Sequence, residues 1–257
     1  MMFDPVHYIM KKIHLSILAC LALFTACHSQ QKETSFEPVA IVELFTSEGC
    51  SSCPPADKAL SKLTLQASRE HQKIYTLSFH VDYWNRLGWK DSFSSSKFSE
   101  RQHEYARRLN LTGVYTPQIV VNGTEEFVGS DESKLNDAVA KSLRKKTSAS
   151  FSKLTSLVNN DKKLSVSYQL NGAFKGSDIH FALVTKQAST SVKRGENVGR
   201  VLSHTNVVRQ FITAPAAAQG EVFFDLASSA DRSNLLIIAY VQHTDDSEII
   251  AAVSAQP

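Results

Sequence analysis

The sequence predicts an α/β domain, with a mixed sheet and flanking helices, followed by an all-β, sandwich-like domain. Up to about residue 146, short apolar runs alternate with segments whose apolar residues recur at helical spacing. Beyond residue 146 the pattern changes to strand-like alternation between turn-like segments. The chain of 257 residues is 42% hydrophobic and 21% charged, an ordinary globular composition with room for one large domain or two small ones.

The first domain is expected over residues 38–146. Serines stand where a helix needs an N-cap, and Asn122-Gly123 is a tight-turn pair between two strand-like runs. The predicted elements, in order, are a strand at 39–45, a helix at 56–67, a strand at 73–81, a helix at 94–110, a hairpin at 117–129 and a helix at 130–146 with Ser130 as its N-cap. This order is the ground plan of a thioredoxin-like domain.

The second domain is expected over residues 147–257. Between residues 163 and 170 apolar and polar residues alternate, so Leu164, Val166, Tyr168 and Leu170 share one face. Further strand-like runs lie at 178–185, 199–213, 220–227, 234–243 and 248–254. These strands, with no strong helical segment among them, predict a sandwich.

Residues 1–26 predict a signal peptide. Two lysines follow Met10, the expected translation start, and the apolar run that comes next is too short for a membrane-spanning helix. The sequence FTAC, which ends at Cys27, resembles the lipobox of bacterial lipoproteins. It implies that Cys27 carries a lipid and that residues 27–37 are a tether. A short membrane anchor and release as a soluble secreted protein are the competing interpretations.

Cys50 and Cys53 are then the two cysteines left over, because Cys20 leaves with the signal and Cys27 takes the lipid. They stand between a predicted strand and a predicted helix. A helix N-terminus favours a thiolate, which makes Cys50 the attacking thiol and the more covered Cys53 the resolving thiol. An inert structural disulfide and a zinc knuckle are the alternatives, and the chain offers no second cysteine pair for zinc.

Two further positions are candidate catalytic residues. Thr116-Pro117 precedes the hairpin strand, where thioredoxin-like proteins have a cis-proline that lies against the CxxC and presents the preceding backbone to the substrate; an ordinary trans proline is the alternative. Glu43, in the first strand, is a candidate buried acid that accepts the proton of Cys53 through water. A salt-bridged or edge glutamate fits the same pattern.

His80, Asp82, Tyr83 and Trp84 follow the second parallel strand, whose carboxyl end faces the active site in open α/β sheets. They are candidate substrate-binding residues, together with Thr116, and ordinary polar packing is the alternative. His80 and the two thiols would also suit Cu(I), which prefers soft ligands. Otherwise no cofactor and no metal is expected.

The net charge of +3 and the lack of a Lys/Arg cluster beyond residues 144–146 argue against nucleic-acid binding. Near the C-terminal end, the polar block RGENVGRVLSHTNVVRQ occupies residues 194–210. A surface that docks on the first domain or on a partner has this composition, and so does a solvated loop and strand face.

Four separated motifs, together with this polar block, carry a family resemblance. VELFTSEGCSSCPPAD, FHVDYWNRLGWKD, GVYTPQIVVNG and FVGSD resemble the domain of unknown function 1223 family, secreted bacterial proteins with a thioredoxin-like domain. The resemblance covers nearly all of the mature chain. It implies a thioredoxin-like fold with a β-rich C-terminal domain and no settled activity.

The sequence therefore predicts a membrane-tethered thiol-disulfide oxidoreductase on the periplasmic side of the cell envelope. Its partners would be protein thiols and disulfides, and the lipid on Cys27 would hold it to the membrane. The alternative functions are a copper carrier or assembly factor with Cys50, Cys53 and His80 as ligands, and a non-catalytic binding protein. The three methionines all lie in the leader, which argues against copper.

Overall fold

A computed structural model describes residues 35–159, 163–227 and 230–257. The predicted signal peptide and most of the tether, with Cys20 and Cys27, lie outside the described residues. Phe36, at the end of the predicted tether, forms an isolated β-bridge with Thr147, so this part of the tether belongs to the folded structure. None of the described helices combines the length and the apolar composition that crossing a membrane requires.

The first half of the fold alternates strands and helices as the periodicity predicts. Its elements are β1 Ala40–Thr46, α1 Pro54–Arg69, β2 Ile74–His80, α2 Ser96–Arg108, β3 Gln118–Val121, β4 Glu125–Val128 and α3 Glu132–Ser142. The second half is almost entirely strand. Its elements are β5 Ala149–Val158, β6 Lys163–Gly172, β7 Ser177–Ser191, β8 Val201–Pro215, β9 Gln219–Asp225, β10 Leu235–His243 and β11 Ile249–Ala255.

Side chains at the helix starts fix where each helix begins. The Ser95 hydroxyl accepts a hydrogen bond from the backbone N–H of Lys97, as expected for a serine N-cap of α2. Helix α3 is capped by Asp131 and not by the predicted Ser130, because the Asp131 carboxylate accepts from the backbone N–H of Lys134. Two prolines open α1, where missing N–H groups cost no helical hydrogen bond.

One eight-stranded mixed sheet contains strands from both halves, in the order β11-β10-β7-β8-β2-β1-β3-β4. The two halves meet where β2 runs parallel to β8 through the pair Ser78 and Val207. Side chains reinforce this short junction: the Ser78 hydroxyl donates to the carbonyl of Thr205, and the Asn206 amide donates to the hydroxyl of Thr76. Residues 35–257 make one compact unit. The expected separate all-β domain over residues 147–257 therefore does not form.

A second, three-stranded sheet in the order β5-β6-β9 packs on the β7, β10 and β11 part of the large sheet. The contact is sandwich-like, and the predicted apolar face of β6 is buried in it. Strand β5 was not predicted, because its serines, threonine and lysine hide the apolar alternation.

The two faces of the large sheet are covered by different helices. Val42 and Leu44 of β1 face α1 and α3, whereas Ile41 and Phe45 face α2. Since side chains alternate along a strand, Glu43 points to the α2 face and Thr46 to the α1 face. His80 pairs with Thr46 across β1 and β2, which places both side chains beside the start of α1.

Candidate functional site

Cys50 and Cys53 form a disulfide at the start of α1, with their Cα atoms 5.4 Å apart. Cys53 is the N-cap residue of the helix, and Cys50 belongs to the turn that leads out of β1. Both cysteines are fully buried. In this oxidised state Cys50 is therefore no more accessible than Cys53, whereas the sequence-based expectation was that Cys53 would be the more covered of the two.

The segment between β7 and β8 covers the cysteine pair. Asn197 is fully buried, and its side-chain amide donates to the carbonyl oxygens of Glu48 and Cys50, at 2.9 Å each. The Glu196 carboxylate accepts from the backbone N–H of Ser51 at 3.0 Å. The Ser51 hydroxyl and, to a smaller extent, this backbone bond lower the pKa of Glu196. Part of the polar block thus docks on the first half of the fold, one of the two interpretations that its composition allowed.

Two exposed serines form the outer surface of the CxxC turn. The Ser52 hydroxyl lies 3.3 Å from the Sγ atom of Cys50, within hydrogen-bond distance for sulfur. This hydroxyl is placed to donate to Cys50 when that sulfur is a thiolate.

The Thr116–Pro117 peptide bond is cis, which confirms the prediction for this bond. The Thr116 hydroxyl accepts a hydrogen bond from the indole N–H of Trp84 at 2.8 Å. Trp84 in turn lies against Gly49, where a Cβ atom would stand 3.2 Å from the Cβ of Trp84. The proline segment is thereby linked through Trp84 to the residue that precedes Cys50, while direct contact of Pro117 with the sulfurs stays a prediction.

Glu43 does not lie beside the cysteines. Its carboxylate faces α2, where Arg101 donates to it from Nε at 2.8 Å and from a terminal nitrogen at 3.0 Å. The hydroxyls of Tyr105 and Tyr240 also donate to this carboxylate. Burial alone would lower the pKa of Arg101, but the charge and hydrogen bond of Glu43, together with the charges of Tyr105 and Tyr240, outweigh burial and hold that pKa well above its ordinary value. The expected proton acceptor of Cys53 is instead half of a buried ion pair on the opposite face of the sheet.

The residues that follow β2 have separate partners. Asp82 accepts from the hydroxyl of Ser99 at 2.6 Å, and the Tyr83 hydroxyl donates to the side-chain amide oxygen of Gln102 at 3.1 Å. Both bonds attach the end of β2 to α2. Burial raises the pKa of Tyr83 to about 12, so its hydroxyl stays protonated at neutral pH. Of the four candidate substrate-binding residues in this segment, Trp84 is the one that connects Thr116 to the cysteine turn.

Two buried histidine–aspartate pairs lie behind the cysteine turn. Nδ1 of His80 is 2.7 Å from Oδ2 of Asp91, and Nδ1 of His204 is 3.1 Å from Oδ1 of Asp57. The two imidazole rings meet edge to face with their centroids 4.6 Å apart. Sequence analysis missed His204, Asp57 and Asp91 as site residues. Two features of the sequence could have indicated them. Asp57 stands four residues after Cys53, and His204 belongs to the polar block.

Comparison with known families identifies the chain. The profile of the family described as protein of unknown function (DUF1223) matches residues 41–242. The chain belongs to the DUF1223 family. A comparison with curated proteins gave no match.

Two of the solved structures that are similar to this DUF1223 chain differ in the extent of their similarity. The crystal structure of a protein from Agrobacterium tumefaciens is similar with 30% identity and a TM-score of 0.64, over 85% of this chain and 94% of that chain. A domain of the outer membrane lipoprotein Omp28 from Porphyromonas gingivalis has 10% identity and a TM-score of 0.26, over 42% of this chain and 94% of that chain. At that score the second similarity supports no conclusion.

The charges around the two histidines of the DUF1223 chain favour protonation of His204. Burial lowers the pKa of His204, but the hydrogen bond and charge of Asp57, with the charges of Glu48 and Asp91, outweigh burial and raise it. Burial has the opposite effect on a carboxyl group and raises the pKa of Asp91. The charge and hydrogen bond of His80, with the N–H groups of Glu48 and Phe93, outweigh burial and lower that pKa overall. Within the described ranges, no group of three or more His, Cys, Asp or Glu side chains is arranged to hold a metal ion.

Proposed function

We propose that the chain is a thiol–disulfide oxidoreductase and that its reacting bond is the Cys50–Cys53 disulfide. The observation that carries the proposal is the position of this bond at the first turn of α1, directly after β1. A disulfide that spans three residues adds little to stability, because it closes a very small loop. A redox role explains such a bond at a helix start better than a stabilising role does.

In the exchange that we propose, a substrate thiolate attacks Cys50 and breaks the Cys50–Cys53 bond. Cys53 leaves as a thiolate that takes up a proton, and a disulfide joins Cys50 to the substrate. A second substrate thiol then attacks that mixed disulfide, so the substrate becomes a disulfide and the protein a dithiol. The reverse sequence oxidises the protein and reduces the substrate.

The arrangement around the cysteines supports a thioredoxin-like interpretation of the first half of the fold. Parallel strands β1 and β2, antiparallel strands β3 and β4 and the three helices occur in the order that such a domain has. The cysteines follow β1, and the Thr116–Pro117 step precedes β3. In this interpretation Thr116, Pro117 and Trp84 form the surface on which a substrate polypeptide would lie.

We further propose that the protein acts in the cell envelope, held on the periplasmic side of a membrane by a lipid on Cys27, where protein thiols and disulfides are its partners. This proposal rests on the signal-like leader and the FTAC sequence. Mass spectrometry of the mature N-terminus tests it. A diacylglyceryl-modified Cys27 at the N-terminus is expected, and an unmodified Cys27 or a cut elsewhere would contradict the anchor.

The function itself is tested in the full chain with Cys20→Ser and Cys27→Ser, so that Cys50 and Cys53 are the only thiols. Replacement of Cys53 by alanine should trap covalent adducts in which Cys50 has attacked a disulfide of an oxidised partner protein, seen on non-reducing gels. Replacement of Cys50 should abolish them, because the attacking sulfur is then gone. The disulfide of the parent chain should equilibrate with a glutathione redox buffer, as measured by alkylation and mass shift.

Three results would count against the proposal. Adducts that accumulate only in the Cys50 variant would exchange the roles of the two cysteines. A disulfide that fails to equilibrate with glutathione or dithiothreitol would make the bond structural. Stoichiometric, tight Cu(I) binding by the reduced chain without any adduct formation would favour the copper carrier, with Cys50, Cys53 and His80 as the ligands to examine.

A further inference from the structure

Asp57 occupies the position of α1 that lies one turn after Cys53. The backbone of Cys53 is already helical, with φ −77° and ψ −36°, and its carbonyl accepts from the backbone N–H of Asp57 at 3.1 Å. Side chains four residues apart on a helix lie on the same face, one above the other. Cys53 is 0% exposed and Asp57 is 5% exposed, so the carboxylate lies in the protein interior on the helix face of the resolving cysteine.

The Asp57 carboxylate is held between two groups from different parts of the fold. One oxygen accepts from the hydroxyl of Thr46, at the end of β1, at 3.1 Å. The other lies 3.1 Å from Nδ1 of His204, which comes from β8. The pair is thus fixed in place by β1, α1 and β8 together, and its position does not depend on an exposed loop.

His204 has one ring nitrogen on Asp57 and the other unengaged. In the described part of the chain, the buried side-chain atoms without a hydrogen-bond partner are Nε2 of His204, Nε2 of His80 and Oε1 of Glu48. A purely structural histidine is expected to use both nitrogens, since an unpaired buried polar atom costs free energy. A histidine that gains and loses a proton keeps one nitrogen for a fixed partner and the other for the proton.

The charged groups that face His204 favour a proton in this site. They come from each element packed around it: Asp57 on α1, Glu48 and Asp91 in the loops after β1 and β2, and His80 on β2. Two cations are near: Lys58 lines the same pocket as Asp57 and His204, and the guanidinium of Arg209 lies over the ring of Phe93, 4.8 Å from its centroid. Phe93 packs against both imidazoles and helps to separate them from solvent.

We propose that the Asp57–His204 pair exchanges a proton with Cys53 during thiol–disulfide exchange, an inference that rests on the function proposed above. When the disulfide is broken, the Cys53 thiolate takes the proton from the pair and becomes a thiol. When the disulfide re-forms, the pair takes the proton back, the Cys53 thiolate attacks Cys50, and the substrate sulfur leaves as a thiolate that is protonated by solvent. The proton therefore stays inside the site, and an unpaired thiolate need not persist in the interior.

The test follows ring closure, the formation of the Cys50–Cys53 disulfide by attack of Cys53 on a mixed disulfide. It uses the full chain with Cys20→Ser and Cys27→Ser and 5,5′-dithiobis(2-nitrobenzoic acid) as the substrate. Attack by Cys50 of the reduced protein releases the first thionitrobenzoate. Attack by Cys53 on the resulting mixed disulfide releases the second. Absorbance separates the two phases, so the first phase reports Cys50 and serves as an internal control for the second, which reports Cys53.

In Asp57→Asn the second phase at pH 7 is expected to slow on the order of 100-fold, the usual size of a lost proton-transfer partner, with the first phase within about twofold of the parent. His204→Gln should slow the second phase in the same direction. In both variants the second phase should accelerate as pH rises, because Cys53 then loses its proton to hydroxide, whereas the parent should depend on pH much less. His180→Gln, which alters a buried histidine that packs against Phe211 and Tyr240, is the matched control and should close at the parent rate.

The inference is overturned if Asp57→Asn closes as fast as the parent, if both phases slow equally, or if His180→Gln loses as much rate as Asp57→Asn. Equal slowing of both phases would show a structural effect, and His204→Gln provides a second variant should Asp57→Asn fail to fold. Failure of the parent to release the second thionitrobenzoate would instead contradict the oxidoreductase function itself. The two failures are therefore distinguishable.

Discussion

The side-chain amide of Asn197 donates to the carbonyl oxygen of Cys50 at 2.9 Å, although the two residues are 147 positions apart. The same amide also holds the carbonyl of Glu48, and the Asn197 oxygen accepts from Arg200 at 2.7 Å. Both cysteines are fully buried, and we expect an incoming thiol to reach the disulfide when this contact opens. In this hypothesis the second half of the fold controls access to a bond that lies in the first half.

Replacement of Asn197 by alanine should make the disulfide easier to reduce. The change removes both bonds that the Asn197 amide donates and leaves the Cys50 carbonyl with only the N–H of Cys53. A lost partner of a buried group costs about 1–3 kcal/mol, so the covering segment should open more often. The rate of reduction by dithiothreitol, followed by alkylation and mass shift, is expected to rise on the order of tenfold, the factor for 1.4 kcal/mol. Val198→Ala, a change in an exposed side chain of the same segment, is the control. Equal rates in the two variants would show that Asn197 does not limit access.

Ser52 should tune the reactivity of Cys50, because its hydroxyl is the polar group within hydrogen-bond distance of that sulfur. A hydrogen bond to the charged form of a thiol favours the thiolate. In a Cys53→Ala background, Ser52→Ala is therefore expected to move the midpoint of Cys50 alkylation by iodoacetamide to higher pH by about one unit. Ser51→Ala is the matched control, since Ser51 interacts with Glu196. A midpoint that shifts only in the Ser51 variant would contradict the assignment.

Glu43 should matter for stability and not for redox chemistry. Removing one partner of a buried ion pair strands the other charge, so Glu43→Gln is expected to destabilise the fold by about 3–5 kcal/mol. Urea unfolding measures this change. The control is Glu132→Gln, which alters the exposed Lys62–Glu132 pair and should shift the midpoint far less. Ring closure by Cys53 in the folded fraction of Glu43→Gln should stay at the parent rate, and a large loss there would restore Glu43 as the proton acceptor.

The elements of the first half could be predicted from the sequence because their signals are local. Helical spacing, serine caps and the Asn122-Gly123 turn each lie within one element or one hairpin. The continuous sheet could not be predicted, because β2 and β8 are joined through the pair Ser78 and Val207 and a few side-chain bonds between residues about 130 positions apart. No periodicity records a parallel contact of that kind.

The candidate site divides in the same way. Cys50, Cys53 and the Thr116-Pro117 step are visible because each is a short motif with a meaning of its own. Asp57 and His204 are not, because neither residue is informative until the fold places them 3.1 Å apart. Glu43 was attractive as a buried acid near the CxxC in sequence. Alternation along β1 sends its carboxylate to the other face of the sheet, where Arg101 binds it.

The His204–Asp57 pair should make stability depend on pH in a predictable direction. The pKa of His204 is raised in the folded protein above the ordinary value of 6.5, because Asp57, Glu48 and Asp91 together outweigh the effect of burial. A raised histidine pKa means that the folded state binds the proton more tightly than the unfolded state. The resulting stabilisation is fully present below pH 6.5 and is lost as the pH rises through the folded value.

The difference in unfolding free energy between the parent chain and His204→Gln, measured by urea unfolding from pH 5.5 to 8.5, should therefore be largest at the acidic end. Within the window it should fall by at most about 1.4 kcal/mol per pH unit, the limit for one proton. His103→Gln, a change at an exposed histidine, controls for the loss of an imidazole. A difference that grows as the pH rises would mean that His204 is held neutral in the fold, and the pair could then not supply a proton to Cys53 at neutral pH.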